Sequence, residues 1–241
     1  PDTLRTAVRD EVVGRVISTN TSPDIGFDRS INPYRGCEHG CIYCYARPTH
    51  AWLGLSPGLD FETRLIARPN AAAALTRELA ARSYVPKLIA IGTNTDPYQP
   101  IERDRKIMRQ LLCVLRDHAH PVGITTKGVM VERDADILTE MGPELCRVGL
   151  SVTTLDDALA RRLEPRVPVP SRRLKAIERL ANAGVQVRVM VSPVIPGLTD
   201  HEVEAILRAA ADAGAVAASM IPLRLPLEVA PLFEEWLRAH V

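Results

Sequence analysis

No run of eighteen or more apolar residues occurs in this 241-residue sequence, so no transmembrane helix is expected. The first residues, Pro1 to Thr6, lack the apolar centre of a signal peptide. No methionine begins the sequence, which predicts a piece of a longer chain. A dominant charge is missing too. Thirty Lys and Arg against 29 Asp and Glu leave a net charge of +1, which excludes a global electrostatic footprint for a polyanion but not a local basic patch. Five cysteines, an odd number with three in one loop, argue against a disulfide framework and fit a reducing cytoplasm. What is present is ordinary for a globular protein, 46% hydrophobic and 24% charged. The length fits one α/β barrel-like domain better than two small ones, with a core that needs no staples.

The stretch that organises the chain runs from Asn32 to Pro48 and holds Cys37, Cys41 and Cys44. Thiolates are soft ligands that select zinc, Cu(I) or iron–sulfur clusters. Three sulfurs on one short loop can hold three corners of a cubane 4Fe–4S cluster and leave the fourth iron open. A four-cysteine cluster has no free corner. Gly36 and Gly40 suit a backbone that wraps closely around an inorganic core. The competing reading is a structural zinc site or an electron-transfer cluster without catalysis. Zinc needs four ligands, and no second C-x2-C exists, so the fourth would be His39, His50, Cys113 or Cys146. Cys113, among Leu111, Leu112, Val114 and Leu115, reads as a packed core thiol. Cys146 precedes a strand, away from the expected active end.

Residues 1–30 read as an N-terminal extension packed outside a main domain of residues 31–241, with one strand over Val12–Ile17. A helix is expected near Ile42 and a long connection over 52–69, where Trp52 and Phe61 serve as tethering contacts or face substrate. From Asn70, as helix cap, strands and helices alternate. Strands are expected near 31, 88, 122, 148, 186 and 216. Helices fall at 70–82, around Ile107–Leu115, 132–141 (ended by Gly142-Pro143), Leu155–Leu163, Ser171 to Gly184, from a Thr199–Glu202 capping box to Gly214, and Glu228–His240. Six such units predict parallel strands in an α/β fold of partial (βα)6 TIM type. Chemistry in barrels gathers where strands end.

The C-x3-C-x2-C spacing, with Tyr43 before the last cysteine, resembles the signature of the radical S-adenosylmethionine (radical SAM) enzymes. The wider string Asn-Pro-Tyr-x-Gly-Cys…Cys-x-Tyr-Cys-Tyr-Ala resembles their spore photoproduct lyase-like branch, and the resemblance runs from about Ile31 to Asp200. It implies a radical SAM core, a partly open (βα)6 barrel carrying a 4Fe–4S cluster on Cys37, Cys41 and Cys44. SAM would bind the open iron through its amino and carboxylate groups. Reduction by an electron donor such as flavodoxin or ferredoxin would then split SAM into methionine and a 5′-deoxyadenosyl radical that takes hydrogen from a substrate. The substrate is not named by the sequence, and a monomer is the default.

The strand ends carry candidates for holding SAM, beside Tyr43. The second ends at Thr93, Asn94, Thr95 and Asp96, whose oxygens could accept from a ligand ammonium, although an Asx-type turn before Pro97 fits as well. The resemblance gives these residues the methionine amino group. Thr126 and Lys127 end the third strand, where an ammonium can pair with a carboxylate; the resemblance makes that the methionine carboxylate. Ser151, with Thr153 and Thr154, ends the fourth strand. Arg188 lies within the fifth, where a charge needs a partner or solvent, and Ser192 ends it, near where family members hold adenine. The basic run of Arg161, Arg162, Arg166, Arg172, Arg173 and Lys175 reads as a solvated helix surface, with nucleic-acid binding as the other possibility.

One departure matters. Spore photoproduct lyases carry a cysteine at the end of the second strand, which returns a hydrogen atom to the product radical. Thr93 stands near that place here, and an O–H bond is a much poorer hydrogen-atom donor than S–H. The sequence therefore predicts no repair of spore photoproduct by that route.

Overall fold

A computed structural model describes residues 5–23 and 25–241. Residues 1–4 of the expected extension lie outside the described residues. The extension forms β1 (Ala7–Asp10) and β2 (Ser18–Thr19) instead of one strand over Val12–Ile17. The reason lies in its hydrogen bonds. Asn70 Oδ1 accepts the Val13 amide at 3.0 Å and its Nδ2 donates to the Val13 carbonyl at 2.8 Å. Glu78 accepts the amides of Val16 and Ile17. Side chains thus take the backbone groups a strand ladder would have used. For the same reason Asn70 does not cap a helix through its side chain.

β3 (Arg29–Ile31) and β4 (Tyr34–Arg35) lead to the cysteines. No α-helix begins at Ile42; a 3-10 segment over Arg47–Leu53 takes its place, with Pro48 in its first turn. The expected long connection is folded, giving α1 (Leu59–Thr63) and β5 (Arg64–Ala67), and the expected helix follows as α2 (Ala71–Leu79). β5 pairs parallel with β1 and antiparallel with β4 in a three-stranded sheet. Phe61 is the buried tether of this region and Trp52 stands 89% exposed.

Beyond α2 the alternation follows the sequence reading. It comprises β6 (Ile89–Ile91), α3 (Glu102–Arg105), α4 (Ile107–Asp117), β7 (Val122–Thr126) and α5 (Ala135–Leu145). Next come β8 (Cys146–Ser151), α6 (Asp157–Leu163), α7 (Pro170–Asn182) and β9 (Val187–Val194). α8 (Val203–Asp212), β10 (Ala217–Pro222) and α9 (Val229–His240) complete the chain. Six parallel strands lie in the order β10-β9-β8-β7-β6-β3, with β2 antiparallel at the β3 edge. This is an α/β partial barrel, left open between its edges.

Two helix boundaries differ from the reading. Gly142, at φ 72°, leaves helical geometry, yet one more turn from Pro143 completes α5. The Thr199–Glu202 capping box does not form. Thr199 Oγ1 accepts the Ile195 amide at 3.0 Å, while Glu202 accepts the Thr154 hydroxyl and the Leu155 amide, both at 2.6 Å.

Packing decides what the strands present to the open interior. On α4 the apolar residues Ile107, Met108, Leu111, Leu112 and Leu115 are all buried, each contributing about 1.5–3 kcal/mol. Val122, Ile124 and Thr126 of β7 and Val187, Val189 and Val191 of β9 are buried in alternation. Side chains on a strand alternate faces, so Lys127, next after Thr126, and Ser192, next after Val191, point the other way. α9 then covers the cysteine loop, with Phe233 and Trp236 in one apolar cluster with Cys41, Tyr43, Leu159, Leu163 and Ile195.

Candidate active site

The loop between β4 and α1 is held from outside. Cys37 donates its amide to the Phe61 carbonyl at 2.9 Å. Gln99 accepts the Glu38 amide at 2.9 Å and donates to the Gly36 carbonyl at 3.1 Å. Gly36 has φ +77°, and a Cβ there would lie 2.5 Å from Leu65 Cδ2, so no other residue fits without a shift. Arg47 is the centre of the arrangement. Its side chain, 1% exposed, donates to the Cys41 carbonyl at 3.0 Å, to the Gly40 carbonyl at 3.1 Å and to the carbonyls of Pro57 and Gly58. It also pairs with Glu62 at 2.5 Å. Arg166 donates to the Glu38 carbonyl and pairs with the same Glu62. The loop therefore carries its three sulfurs on a backbone whose carbonyls are already satisfied.

Cys37 and Cys41 are buried and Cys44 half-buried. Burial pushes all three thiols up, and the negative charge of Asp96 adds to this at Cys37. Ligation by a cation reverses that preference. Among the described residues, no three His, Cys, Asp or Glu side chains are grouped to hold a single metal ion. Of the four sequence candidates for a fourth zinc ligand, each histidine has one ring nitrogen engaged, while His50 Nδ1 is buried with no partner among the described residues. His39 pairs with Asp96 at 3.3 Å and His50 Nε2 bonds the Arg64 carbonyl at 2.9 Å. Cys113 packs on α4, and buried Cys146 opens β8 at the far end, its thiol pushed up to about 12 by burial.

At the end of β6 the four polar residues divide. Asp96 accepts the Thr126 hydroxyl at 2.6 Å, the Lys127 amide at 2.7 Å and the Tyr98 amide at 2.9 Å. Burial raises its pKa, but His39 and these donors outweigh that and hold it below the ordinary value. Asp96 and Thr126 thus tie the cysteine loop to β6 and β7. Thr95 donates to the Tyr34 carbonyl at 2.8 Å. The Thr93 and Asn94 side chains, half-buried, have no hydrogen-bond partner among the described residues. Tyr45 reaches over to donate to the Thr93 carbonyl.

Lys127 projects inward, as the strand alternation requires. Its Nζ donates to the Ser192 carbonyl at 3.0 Å, lies 3.5 Å from Glu164 Oε1 and sits over the Tyr43 ring at 5.7 Å. Glu164 accepts the hydroxyls of Tyr43 and Thr153 and pairs with Arg173 at 2.6 Å. Burial raises the Glu164 pKa, but Arg173 and Lys127 together with the two hydroxyls overcome it and hold the carboxyl at about 2. Glu164 and Arg173 were not among the sequence candidates. Arg173 contradicts the solvated-surface reading of its basic run: it is fully buried and also donates to the Ser151 carbonyl at 2.8 Å. Arg161, Arg162 and Lys175 of the same run are exposed. Ser151 is buried at the end of β8. Ser192 Oγ is buried with no partner among the described residues. Arg188 is exposed near the start of β9 and does not join Ser192 at its end.

The same fold occurs in solved proteins. A spore photoproduct lyase with bound AdoMet and dinucleoside spore photoproduct superposes with a TM-score of 0.72 and 15% identity, over 96% of this chain and 66% of that one. SuiB of Streptococcus suis bound to S-adenosylmethionine gives a TM-score of 0.61 and 16% identity, over 87% of this chain and 46% of that one. In sequence, an uncharacterized protein of Mycobacterium tuberculosis is 38% identical over 218 residues, 89% of this chain. One of Methanocaldococcus jannaschii is 29% identical over 172 residues, 71% of this chain. The chain spans 64% and 62% of the lengths of these two relatives. No helix among the described residues is long and apolar enough to cross a membrane. The model of the radical SAM superfamily matches residues 31–210, more than half of the sequence, and the chain belongs to that superfamily.

Proposed function

We propose that this chain is a radical SAM enzyme that holds a 4Fe–4S cluster on Cys37, Cys41 and Cys44 and reductively cleaves SAM to act on a substrate by hydrogen abstraction. The observation that carries the reading is the donor set. Three thiols stand on one clamped loop at the end of the first parallel strand, with no second C-x2-C to complete a four-ligand site. Three thiolates on one short loop suit a cluster, in which each binds a different iron, better than a zinc site that needs four ligands. Ser192 Oγ, buried and unpartnered, fits a polar ligand in the open interior.

When bound, cluster and SAM supply an electron transfer that breaks a C–S bond and yields a 5′-deoxyadenosyl radical. The chain's own groups bind and orient. Thr93 and Asn94 offer oxygens for the SAM amino group, and Lys127 its ammonium for the carboxylate. Tyr43 and Ser192 flank the same space. Asp96, Thr95 and Thr126 act one step back by fixing the loop and the strand ends. Phe233 and Trp236 exclude water from the side of Cys41. Among the described residues neither remaining cysteine reaches the end of β6.

Anaerobic reconstitution with iron and sulfide, dithionite and SAM tests the reading. Formation of 5′-deoxyadenosine, lost in Cys37→Ala, Cys41→Ala and Cys44→Ala, is the expected result. A reducible cluster that forms no product with SAM would favour a purely electron-transferring iron–sulfur protein.

A further inference from the structure

The inward face of the parallel sheet is short of side-chain bulk in its half nearer the strand starts. Lys127 points inward, so every second residue before it on β7 does too, and the strand register carries that face across the sheet. One row across it reads Ser30, Ala90, Gly123 and Arg147. The next row reads Thr125, Gly149, Arg188 and Ala217. A parallel barrel ordinarily fills this space with layers of branched apolar side chains. Here each row sets one arginine on a floor of Gly, Ala, Ser and Thr.

The two arginines are exposed, and among the described residues neither guanidinium has an ion-pair or hydrogen-bond partner. Neither row holds an acid, and Asp28, just before β3, is taken by Lys87 at 2.7 Å. Arg188 stands opposite Gly149, two residues along β8 from Arg147. At the usual strand spacing and rise, their Cα atoms lie about 8 Å apart, close enough for both side chains to reach one group. Ser219, paired with Met190 one row further on, has a buried hydroxyl with no partner among the described residues. A buried polar atom of this kind calls for a ligand or a water.

We propose that Arg147 and Arg188 anchor the phosphate group of a small-molecule substrate in the open interior of the barrel. The inference rests on the radical SAM reading above and names the class of its substrate. Guanidinium forks match phosphate oxygens, and a phosphate has enough of them for two forks at once. Two isolated cations suit a single phosphate, whereas a polynucleotide needs a track of them. Arg188 lies four residues before Ser192 on the same face of β9, about 13 Å along the strand. The substrate therefore spans roughly that length between its phosphate and the hydrogen it gives up beside SAM.

Anaerobic equilibrium dialysis of radiolabelled inorganic phosphate against cluster-loaded protein, with SAM present, tests the anchor. Saturable binding, tighter than that of acetate, is expected. Arg147→Gln and Arg188→Gln should each raise the Kd about ten-fold or more, because a charged hydrogen-bond donor is lost. Arg208→Gln, on α8 and likewise exposed and unpaired, should bind as the unmodified protein does. Gly123→Val keeps both arginines and fills the floor between the strands. A Cβ there meets Leu88 Cδ1 at 3.9 Å, ordinary contact, so the strand accepts it while phosphate binding should weaken several-fold. Equal binding by all variants, displacement of phosphate by SAM, or tighter and arginine-independent binding of a DNA oligonucleotide would overturn the anchor. Absence of phosphate binding in a protein whose cluster spectrum still responds to SAM would overturn it too and leave the radical SAM reading standing. Arginine-dependent phosphate binding beside a cluster indifferent to SAM would keep the anion site and remove its role in substrate binding.

Discussion

Replacing Glu164 by Gln probes the buried network that joins the cysteine loop to β8, β9 and α7. The substitution keeps the size and an acceptor for Tyr43 but removes the charge. Arg173, fully buried, then loses its ion pair, and Lys127 loses its neighbour at 3.5 Å. The Glu164 pKa falls from an ordinary 4.5 to about 2, which corresponds to about 3 kcal/mol at ~1.4 kcal/mol per pH unit. Removing one partner of a buried pair costs about 3–5 kcal/mol, the same scale. The sign follows from a depressed carboxyl pKa. The stabilisation is complete above pH 4.5 and is lost as the pH falls toward 2. Urea unfolding of the metal-free chain, followed at pH 7 and in steps down to pH 3, reads both effects. Glu164→Gln should be about 3 kcal/mol less stable at pH 7 and should lose part of the acid-side decline of the unmodified chain. A loss below about 1 kcal/mol with an unchanged acid limb would refute the reasoning, because Glu164 would then hold no charge that the fold needs.

Other perturbations separate the frame from the chemistry. Arg47→Met should lower iron bound per chain and cost about 3–5 kcal/mol, measured by iron assay and unfolding, because Glu62 and four carbonyls lose their shared donor. Gly92→Ala should destabilise by about 2 kcal/mol or more in the same unfolding assay, since φ is +87° and its Cβ would sit 2.0 Å from the Thr125 carbonyl oxygen. Leu111→Ala, in the core of α4, should cost about 2–5 kcal/mol while 5′-deoxyadenosine per bound cluster stays unchanged. Incubation with spore photoproduct DNA, SAM and reductant should release no restored thymine; its release would show a hydrogen donor other than a thiol at the end of β6.

Most of the parallel strands were legible as short apolar runs or alternations between helical periodicities, as at Ile89–Ile91 and Val187–Val191. The cysteine loop stood out because three of the five cysteines fall within it at close spacing. The three-stranded sheet did not. β5 holds three consecutive buried residues, Leu65, Ile66 and Ala67, with no alternation to mark it as a strand, and its partner β1 lies 57 positions away in the chain. Thr93–Asp96, Thr126, Lys127, Ser151 and Ser192 do stand at strand ends, but sequence alone could not divide those held by the fold from those left free. Whether Asp96 faces a ligand or Thr126 and His39 depends on which face of β7 is packed. Glu164 and Arg173 were missed because each sits in a charged run, and a run of charge carries no sign that one member turns inward. The pairing of Glu164 with Tyr43 joins residues 121 positions apart, a distance no local pattern spans.

The most direct measurement of the central claim is the electron paramagnetic resonance spectrum of the reduced, cluster-loaded protein with and without SAM. The account predicts a 4Fe–4S signal that shifts when SAM is added, because three cysteines leave one iron without a protein ligand, and a signal absent from the Cys37→Ala, Cys41→Ala and Cys44→Ala variants. A spectrum indifferent to SAM, from a cluster whose four irons all carry protein ligands, would contradict it.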